Sequence, residues 1–351
     1  MTLKGKKNHY NIKILTGYGA SISVKNNRLI LKNGIDIISN KQETEEWFIT
    51  NLPYEKILIS GKGYVSTDAL SLLSSHYRNI VITDSFGKPI SLINGVMESS
   101  TASKNRIAQY DGFRKPEICR ELSKKTIHDK LESQIRFLKL LQRDDSNKVI
   151  SLLQKNLEDV TEDNYHDIEK RCAISYFRYY ATLFDERFGF ESRNQSSIRI
   201  TKRNASDPIN GLLNYGYSVL AGEICKFVCG FGLDPYFGYM HKSHSGFMAL
   251  VYDVIEPFRW LVESSVNDII HATNNRFKMR LKDFAYTRNG SVVLSDRVKK
   301  NFLEKLERNF QDKREVKFKF GRSKNNGMNN CEEITFVKIY IQKILQNTLN
   351  L

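Results

Sequence analysis

The chain has no apolar run approaching the ~18 residues that a membrane-spanning helix needs, and its first ten residues, MTLKGKKNHY, hold no apolar signal core. Both absences point to a cytoplasmic protein without a membrane partner. Cysteine is scarce. Cys119, Cys172, Cys225, Cys229 and Cys331 are scattered and odd in number, which argues against a disulfide scaffold and suits reduced thiols. Only Cys225 and Cys229 are close together, and with no second pair nearby they make a poor zinc signal. The signatures of metal-free hydrolysis are missing as well: there is no G-x-S-x-G elbow and no convincing cysteine–histidine pairing. The GKG at 61–63 lacks the glycine spacing and the Lys-Ser/Thr ending of a phosphate loop and reads as a tight turn. No internal repeat or low-complexity segment breaks the 351 residues.

Basic charge, by contrast, is abundant and unevenly placed. The formal net charge is +15; residues 276–324 hold 16 Lys and Arg against 6 Asp and Glu, whereas residues 1–100 hold 12 against 8. Two thirds of the excess therefore lies in one late segment, which suits a polyanion such as nucleic acid. Lys278, Arg280 and Arg297 are the candidate phosphate contacts within it. The competing reading is a solvated helix face, because Lys300, Glu304, Lys305, Glu307 and Arg308 have spacings that form intrahelical pairs. Phe277, Phe284 and Tyr286 lie between the charges and read first as core residues, second as surfaces for splayed bases.

Length and a hydrophobic content of 40% predict a soluble protein of two domains. The first hundred residues are β-rich, with Asn26-Asn27 as a turn, strands at Ile57–Ser60 and Ile80–Thr83, and a helix over Ser66–His76 between them. MESSTASKN, residues 97–105, reads as a polar linker. Beyond it helical periodicity dominates. Ile127, Leu131, Ile135, Leu138 and Leu141 recur at spacings of three and four, and Ile168, Cys172, Tyr176 and Tyr180 at spacings of four. Asp207-Pro208 is a cap followed by a first-turn proline, and Gly230 and Gly232 can end that helix. The expected fold is α+β in two domains: a β-rich domain over 1–98 and an all-α domain over 99–351.

One stretch is chemically odd. YMHKSHSGFMALVYDVIE, residues 239–256, sets Asp253 and Glu256 among Leu250, Val251, Val254 and Ile255, where carboxylates are costly without a compensating positive charge. Spaced by three, the two share a helix face, and His241 precedes a short His244-Ser245-Gly246 loop that can fold it back towards them. Pro257 must either kink the helix or mark a start near Asp253. Glu169, on the helix of Ile168 and Cys172, is a further candidate. Two carboxylates and a histidine suit Mg²⁺ or Mn²⁺; pairing with Arg171, Arg259 or nearby lysines is the structural alternative.

The order DIEKRCAISYF, DPINGLLNYGYSVLAGE, GLDPYFGYMH, LVYDVIEPFR resembles the CRISPR-associated integrase of spacer acquisition, the Cas-one family. GYGASISVKNNRLIL and KILISGKGYVSTDALSLLSSHYRNIVITDSFGKPI are similar to that family's β-domain, so the resemblance covers about residues 10 to 300. It implies an amino-terminal domain that dimerises and a helical domain that is catalytic and binds DNA. It also implies metal ligands at Glu169, His241 and Glu256, with Asp253 as the preceding aspartate in a catalytic role, orienting His241 or a metal-bound water. Mg²⁺ or Mn²⁺ is the implied cofactor; double-stranded DNA fragments, CRISPR repeat DNA and a small Cas-two-like protein are the implied partners. The implied reaction joins a DNA 3′-hydroxyl to a phosphodiester at the repeat edge, with metal-dependent cleavage of branched DNA as the alternative. Two positions depart from the family pattern: Ala221 stands where many members carry tyrosine, and Pro257 where an acidic or polar residue is common.

Overall fold

The computed structural model describes residues 12–35, 42–54, 56–76, 78–83, 89–93, 102–193, 205–242, 244, 246–274, 277–317 and 328–349. Of the polar linker expected at 97–105, residues 97–101 lie outside these residues and 102–105 are not linker but the first turn of a helix over Ala102–Phe113; most of the polar loop expected at 191–206, Arg276 and the end of the basic segment, 318–324, also lie outside. By packing, the chain divides into two units, residues 1–98 and 99–351.

In the first unit β1 (Ile12–Lys25), β2 (Arg28–Lys32), β3 (Thr44–Trp47), β4 (Lys56–Val65), β5 (Asn79–Thr83) and β6 (Pro89–Ile93) form one sheet in the order β3-β2-β1-β4-β5-β6. Asn26 and Asn27, both at positive φ, close the antiparallel β1–β2 hairpin, a conformation asparagine tolerates better than most residues. β4 runs parallel to β1 and to β5. α1 (Thr67–Ser75) makes the crossover between β4 and β5, and Ser66 starts it by accepting a hydrogen bond from the Ala69 amide. Leu15, Ile22, Leu29, Ile57, Leu73 and Ile80 are buried together in the core.

The GKG expected as a turn is strand. Gly61 and Gly63 lie inside β4, opposite a β-bulge in β1 between Tyr18 and Ala20. A Cβ at Gly61 would fall 2.2 Å from the Gly17 carbonyl oxygen, and one at Gly63 1.6 Å from that of Ala20. The glycines are there to let two backbones approach, not to reverse the chain.

In the second unit the described helices are α2 (Ala102–Phe113), α3 (Pro116–Leu140), α4 (Asn147–Glu158), α5 (Tyr165–Ala181), α6 (Pro208–Gly230), α7 (Ala249–Ile255), α8 (Arg259–Ile270), α9 (Asp296–Gln311) and α10 (Glu333–Leu349). Two small antiparallel pairs, β7 (Phe284–Tyr286) with β8 (Val292–Leu294) and β9 (Lys313–Lys317) with β10 (Met328–Glu332), accompany them. α3 buries Ile127, Leu131, Ile135 and Leu138, and α5 buries Ile168, Cys172, Tyr176 and Tyr180, the stripes their periodicities predict. Asp207 caps α6 by accepting from the Asn210 amide, with Pro208 in the first turn.

α6 is apolar on nearly every face and packs against α7, α8, α9 and α10. Gly216 permits its crossing, since a Cβ there would sit 2.4 Å from Val262 Cγ1 and 2.8 Å from Phe302 Cζ. Among the described residues no helix is long and apolar enough to cross a membrane.

Candidate active site in the helical unit

Pro257 settles the geometry of the odd stretch. It has no amide proton to continue α7, so that helix stops at Ile255, residues 256–258 form a single 3₁₀ turn, and α8 begins at Arg259. Glu256 is thereby set at the joint of two helices, 4% exposed, while Asp253 one turn earlier is fully buried.

Asp253 collects four donors. Its Oδ2 accepts from the Tyr239 amide at 2.7 Å and the Met240 amide at 3.0 Å. Its Oδ1 accepts from the His241 amide at 2.9 Å and from His241 Nδ1 at 2.6 Å. A carboxylate only accepts, so in the neutral ring the proton resides on Nδ1 and Nε2 is the nitrogen that carries a lone pair. Burial would lower the His241 pKa, but the Asp253 bond and charge, reinforced by Glu256, outweigh it and hold the ring's pKa above its ordinary value. Gly238 makes room for this clasp: a Cβ there would lie 2.4 Å from Asp253 Oδ2. His241 is thus held against Asp253 of α7, as expected.

Glu169 and Glu256 meet on a third residue. Lys130 of α3 lies with its Nζ 2.5 Å from Glu169 Oε1 on α5 and 2.7 Å from Glu256 Oε2. Arg259 takes the other Glu256 oxygen at 2.8 Å. Burial would raise the Glu256 pKa, but Arg259 and then Lys130 outweigh it and hold the carboxyl at about 2. Burial would lower the Lys130 pKa; Glu256 and Glu169 reverse that and keep it above the ordinary lysine value. The pairing alternative is thus present for Glu256, through Arg259 and a lysine.

The donor chemistry fits a divalent cation. Glu256 Oε2 is buried and within ion-pair distance of Lys130, yet has no aligned hydrogen bond, and a buried carboxylate oxygen in that state calls for a further partner. With Glu169 and the Nε2 of His241 it makes the mixed oxygen–nitrogen set that suits Mg²⁺ or Mn²⁺. The three candidate residues are not close-set. Among the described residues the group whose ligand atoms all lie within 4.8 Å of one another is His128, Asp129 and Glu132 on α3, where Lys125 also holds Asp129.

Lys130 is the residue that sequence reasoning missed. It lies three residues after Ile127 and beside Leu131, on the stripe that α3 buries; a lysine in an apolar stripe demands buried carboxylate partners, and that is the signal available. Behind the site, Glu263 of α8 is buried and accepts from Tyr176 at 2.5 Å and Tyr217 at 2.8 Å. Arg259 stacks over the Tyr217 ring, 4.7 Å from its centroid. Ala221 is fully buried in α6.

In the basic segment Lys278 and Arg280 are exposed, whereas Arg297 is tied to Asp283 Oδ2 at 2.8 Å and to the Lys278 carbonyl at 2.9 Å. Phe284 is buried and Tyr286 is 56% exposed. Some of the pairing expected of a solvated helix is present on α9, with Arg308 on Glu304, while Lys305 reaches Asp268 of α8 instead.

Comparison with known proteins bears on this arrangement. The profile of the family described as CRISPR associated protein Cas1 matches residues 14–308. A CRISPR-associated endonuclease Cas1 of Korarchaeum cryptofilum is 27% identical over 275 residues, covering 73% of this chain and 77% of its own. Another, from Methanospirillum hungatei, is 27% identical over 302 residues, covering 83% and 86%. Among solved structures the fold is shared with a casposase bound to integration product (TM-score 0.80, 22% identity, 97% of this chain and 91% of that one). It is shared also with a Cas1 protein from Thermotoga maritima (TM-score 0.71, 17% identity, 96% and 97%). The match runs through both units and through every candidate ligand, and the chain belongs to the CRISPR-associated Cas1 family.

Proposed function

We propose that the protein is a DNA integrase of CRISPR adaptation whose catalytic centre is the cluster at Glu169, His241, Asp253 and Glu256. The 3′-hydroxyl of a captured fragment attacks a phosphodiester at the edge of a repeat. A new bond from that oxygen to phosphorus forms as the repeat's own bond from phosphorus to its 3′-oxygen breaks, and the released oxygen takes up a proton. One phosphodiester replaces another, so no nucleotide cofactor is consumed. The observation that supports the reading most strongly is the meeting, in a Cas1 chain, of Glu169 and Glu256 around one buried charge, together with a histidine whose Nδ1 is held by Asp253 so that Nε2 faces away from it.

Glu169, His241 and Glu256 would hold Mg²⁺ or Mn²⁺, which when bound supplies Lewis-acid charge to the phosphate under attack. Asp253 fixes the ring and tautomer of His241 by accepting from its Nδ1, which aims Nε2 at the metal. Arg259 keeps Glu256 ionised and stationary. Lys278 and Arg280 carry phosphate contacts of the DNA track, which need no base reading.

A second reading, cleavage of branched DNA, is favoured by the relatives' description as endonucleases; integration run backward is such a cleavage. A Cas2-like partner is proposed from a Cas6-RT-Cas1–Cas2 complex, 35% of one of whose chains shares the fold of 97% of this one (TM-score 0.71, 20% identity). A homodimer through the β unit is proposed from its exposed Tyr18 and Tyr64, the latter lining an apolar groove of about 230 Å³ with Leu15, Ile22, Ile59 and Val65.

The test is a labelled branched DNA that imitates a half-integrated fragment, given to wild type and Glu169→Ala with Mn²⁺ or with chelator. Metal-dependent resealing of the continuous strand by wild type alone supports the integrase and its site. Cutting without resealing favours the nuclease. Equal DNA binding with no reaction by either protein, the Cas2-like partner being present, overturns the catalytic assignment.

A further inference from the structure

The cation between Glu169 and Glu256 is part of the protein itself. Lys130 comes from α3 and reaches carboxylates on α5 and in the 3₁₀ turn after α7, three elements that share no local sequence. Its side chain is 9% exposed, and Glu256 is 4% exposed. Burying an ammonium is expensive unless carboxylates repay the lost hydration, and two carboxylates brought together without a cation repel. Each need answers the other.

The two contacts are not equivalent. Lys130 donates a hydrogen bond to Glu169 at 2.5 Å. Towards Glu256 Oε2 it is within 2.7 Å without an aligned hydrogen bond, so that oxygen is neutralised but not saturated. Arg259, in contrast, donates a directed bond to the opposite Glu256 oxygen and stacks on Tyr217, which fixes it in place. Lysine is the movable member of the pair: its charge sits on a flexible four-carbon stem, and an ammonium has no planar fork to hold it.

Resting on the metal reading of the preceding section, we propose that Lys130 is a resident counter-ion, holding Glu169 and Glu256 together until the divalent cation displaces it. Metal loading is then an exchange of one cation for another. Lys130 acts through the carboxylates and is a positioning residue. The arrangement holds buried Glu256 and half-buried Glu169 together in the metal-free protein, and it weakens metal affinity by the work of expelling the ammonium.

The sign of the effect makes the inference testable. Mn²⁺ binding is measured by calorimetry on wild type, Lys130→Gln and Lys139→Gln, the last an exposed lysine of the same helix that controls for net charge. Lys130→Gln is expected to bind Mn²⁺ tighter by about tenfold, the lower end of the coupling between close charge pairs, with Lys139→Gln indistinguishable from wild type. Damage to the fold would loosen binding, so tightening has no structural explanation. Equal or weaker binding by Lys130→Gln overturns the exchange. Absence of Mn²⁺ binding in wild type and both variants overturns the metal centre, and the exchange with it.

A second measurement needs no variant at that position. Reductive methylation of wild type, read by mass spectrometry, is expected to spare Lys130 in chelator and to label it when Mg²⁺ is present. Lys130 equally protected with bound Mg²⁺ overturns the proposal.

Discussion

Asp253→Asn removes one charge and changes one oxygen for an amide nitrogen, and the structure dictates what that does. Four N–H groups converge on the carboxylate, two on each oxygen. An asparagine retains one acceptor and must turn its NH₂ towards one pair of donors. The less costly choice keeps the oxygen on Tyr239 and Met240 and turns the NH₂ to His241, because the imidazole alone among these groups has a second tautomer. Nδ1 then accepts, its proton moves to Nε2, and only the His241 amide is left unsatisfied.

A buried orphan donor costs about 1–3 kcal/mol, and weakening the two remaining bonds from charged to neutral costs about 1 kcal/mol more. The expected loss is about 3 kcal/mol. Urea denaturation reads it cleanly, because the chain has one tryptophan in each unit, Trp47 and Trp260; in a Trp47→Phe background Trp260 reports the helical unit alone. The same substitution places a proton on the nitrogen offered to a metal, so Mn²⁺ binding is expected to weaken at least tenfold. An unchanged urea midpoint would refute the four-donor clasp. A destabilised protein with undiminished Mn²⁺ affinity would refute the tautomer reasoning while leaving the clasp intact.

Four further outcomes are expected. Glu256 is held at about 2 rather than 4.5, so its contribution is complete above pH 4.5 and is lost as pH falls through about 2. It is on the order of 3 kcal/mol, and acid titration of metal-free wild type against Glu256→Gln should show the two stabilities converging at low pH. Gly216→Ala should cost about 1–3 kcal/mol by thermal denaturation, since the new methyl meets Val262 and Phe302 at 2.4 and 2.8 Å. Tyr176→Phe withdraws a donor from buried Glu263 and should destabilise by about 1–3 kcal/mol, with DNA resealing reduced no more than folded protein is. Lys278→Ala with Arg280→Ala should weaken DNA binding uniformly across sequences and lower the slope of log affinity against log salt by about 1 per lost phosphate contact.

Local signals were legible where one period or one cap decides the outcome. The stripes of α3 and α5, the Asn26-Asn27 turn and the Asp207-Pro208 start are written in neighbouring residues, and the mixed β-then-α fold follows from them. The GKG misled because glycine signals reversal and close approach with the same letter, and only the facing strand tells which. β7 and β8, three residues each, are too short to show alternation within a basic segment. At the candidate site the carboxylates and histidine stood out as residue types in an apolar setting. Lys130 did not, because what makes it matter are partners on α5 and beyond α7 that tertiary packing alone supplies.

That distance along the chain has a kinetic consequence. Residues 130 and 256 are far apart along the chain, and closing so long a loop is costly, so this charge contact is expected to form late in folding. Contacts made after the folding barrier leave the folding rate nearly untouched and govern how fast the native state opens. Removing a charge from this cluster should therefore shorten the protein's lifetime far more than it slows its formation, which makes the cluster a latch on the finished molecule and not part of its nucleus.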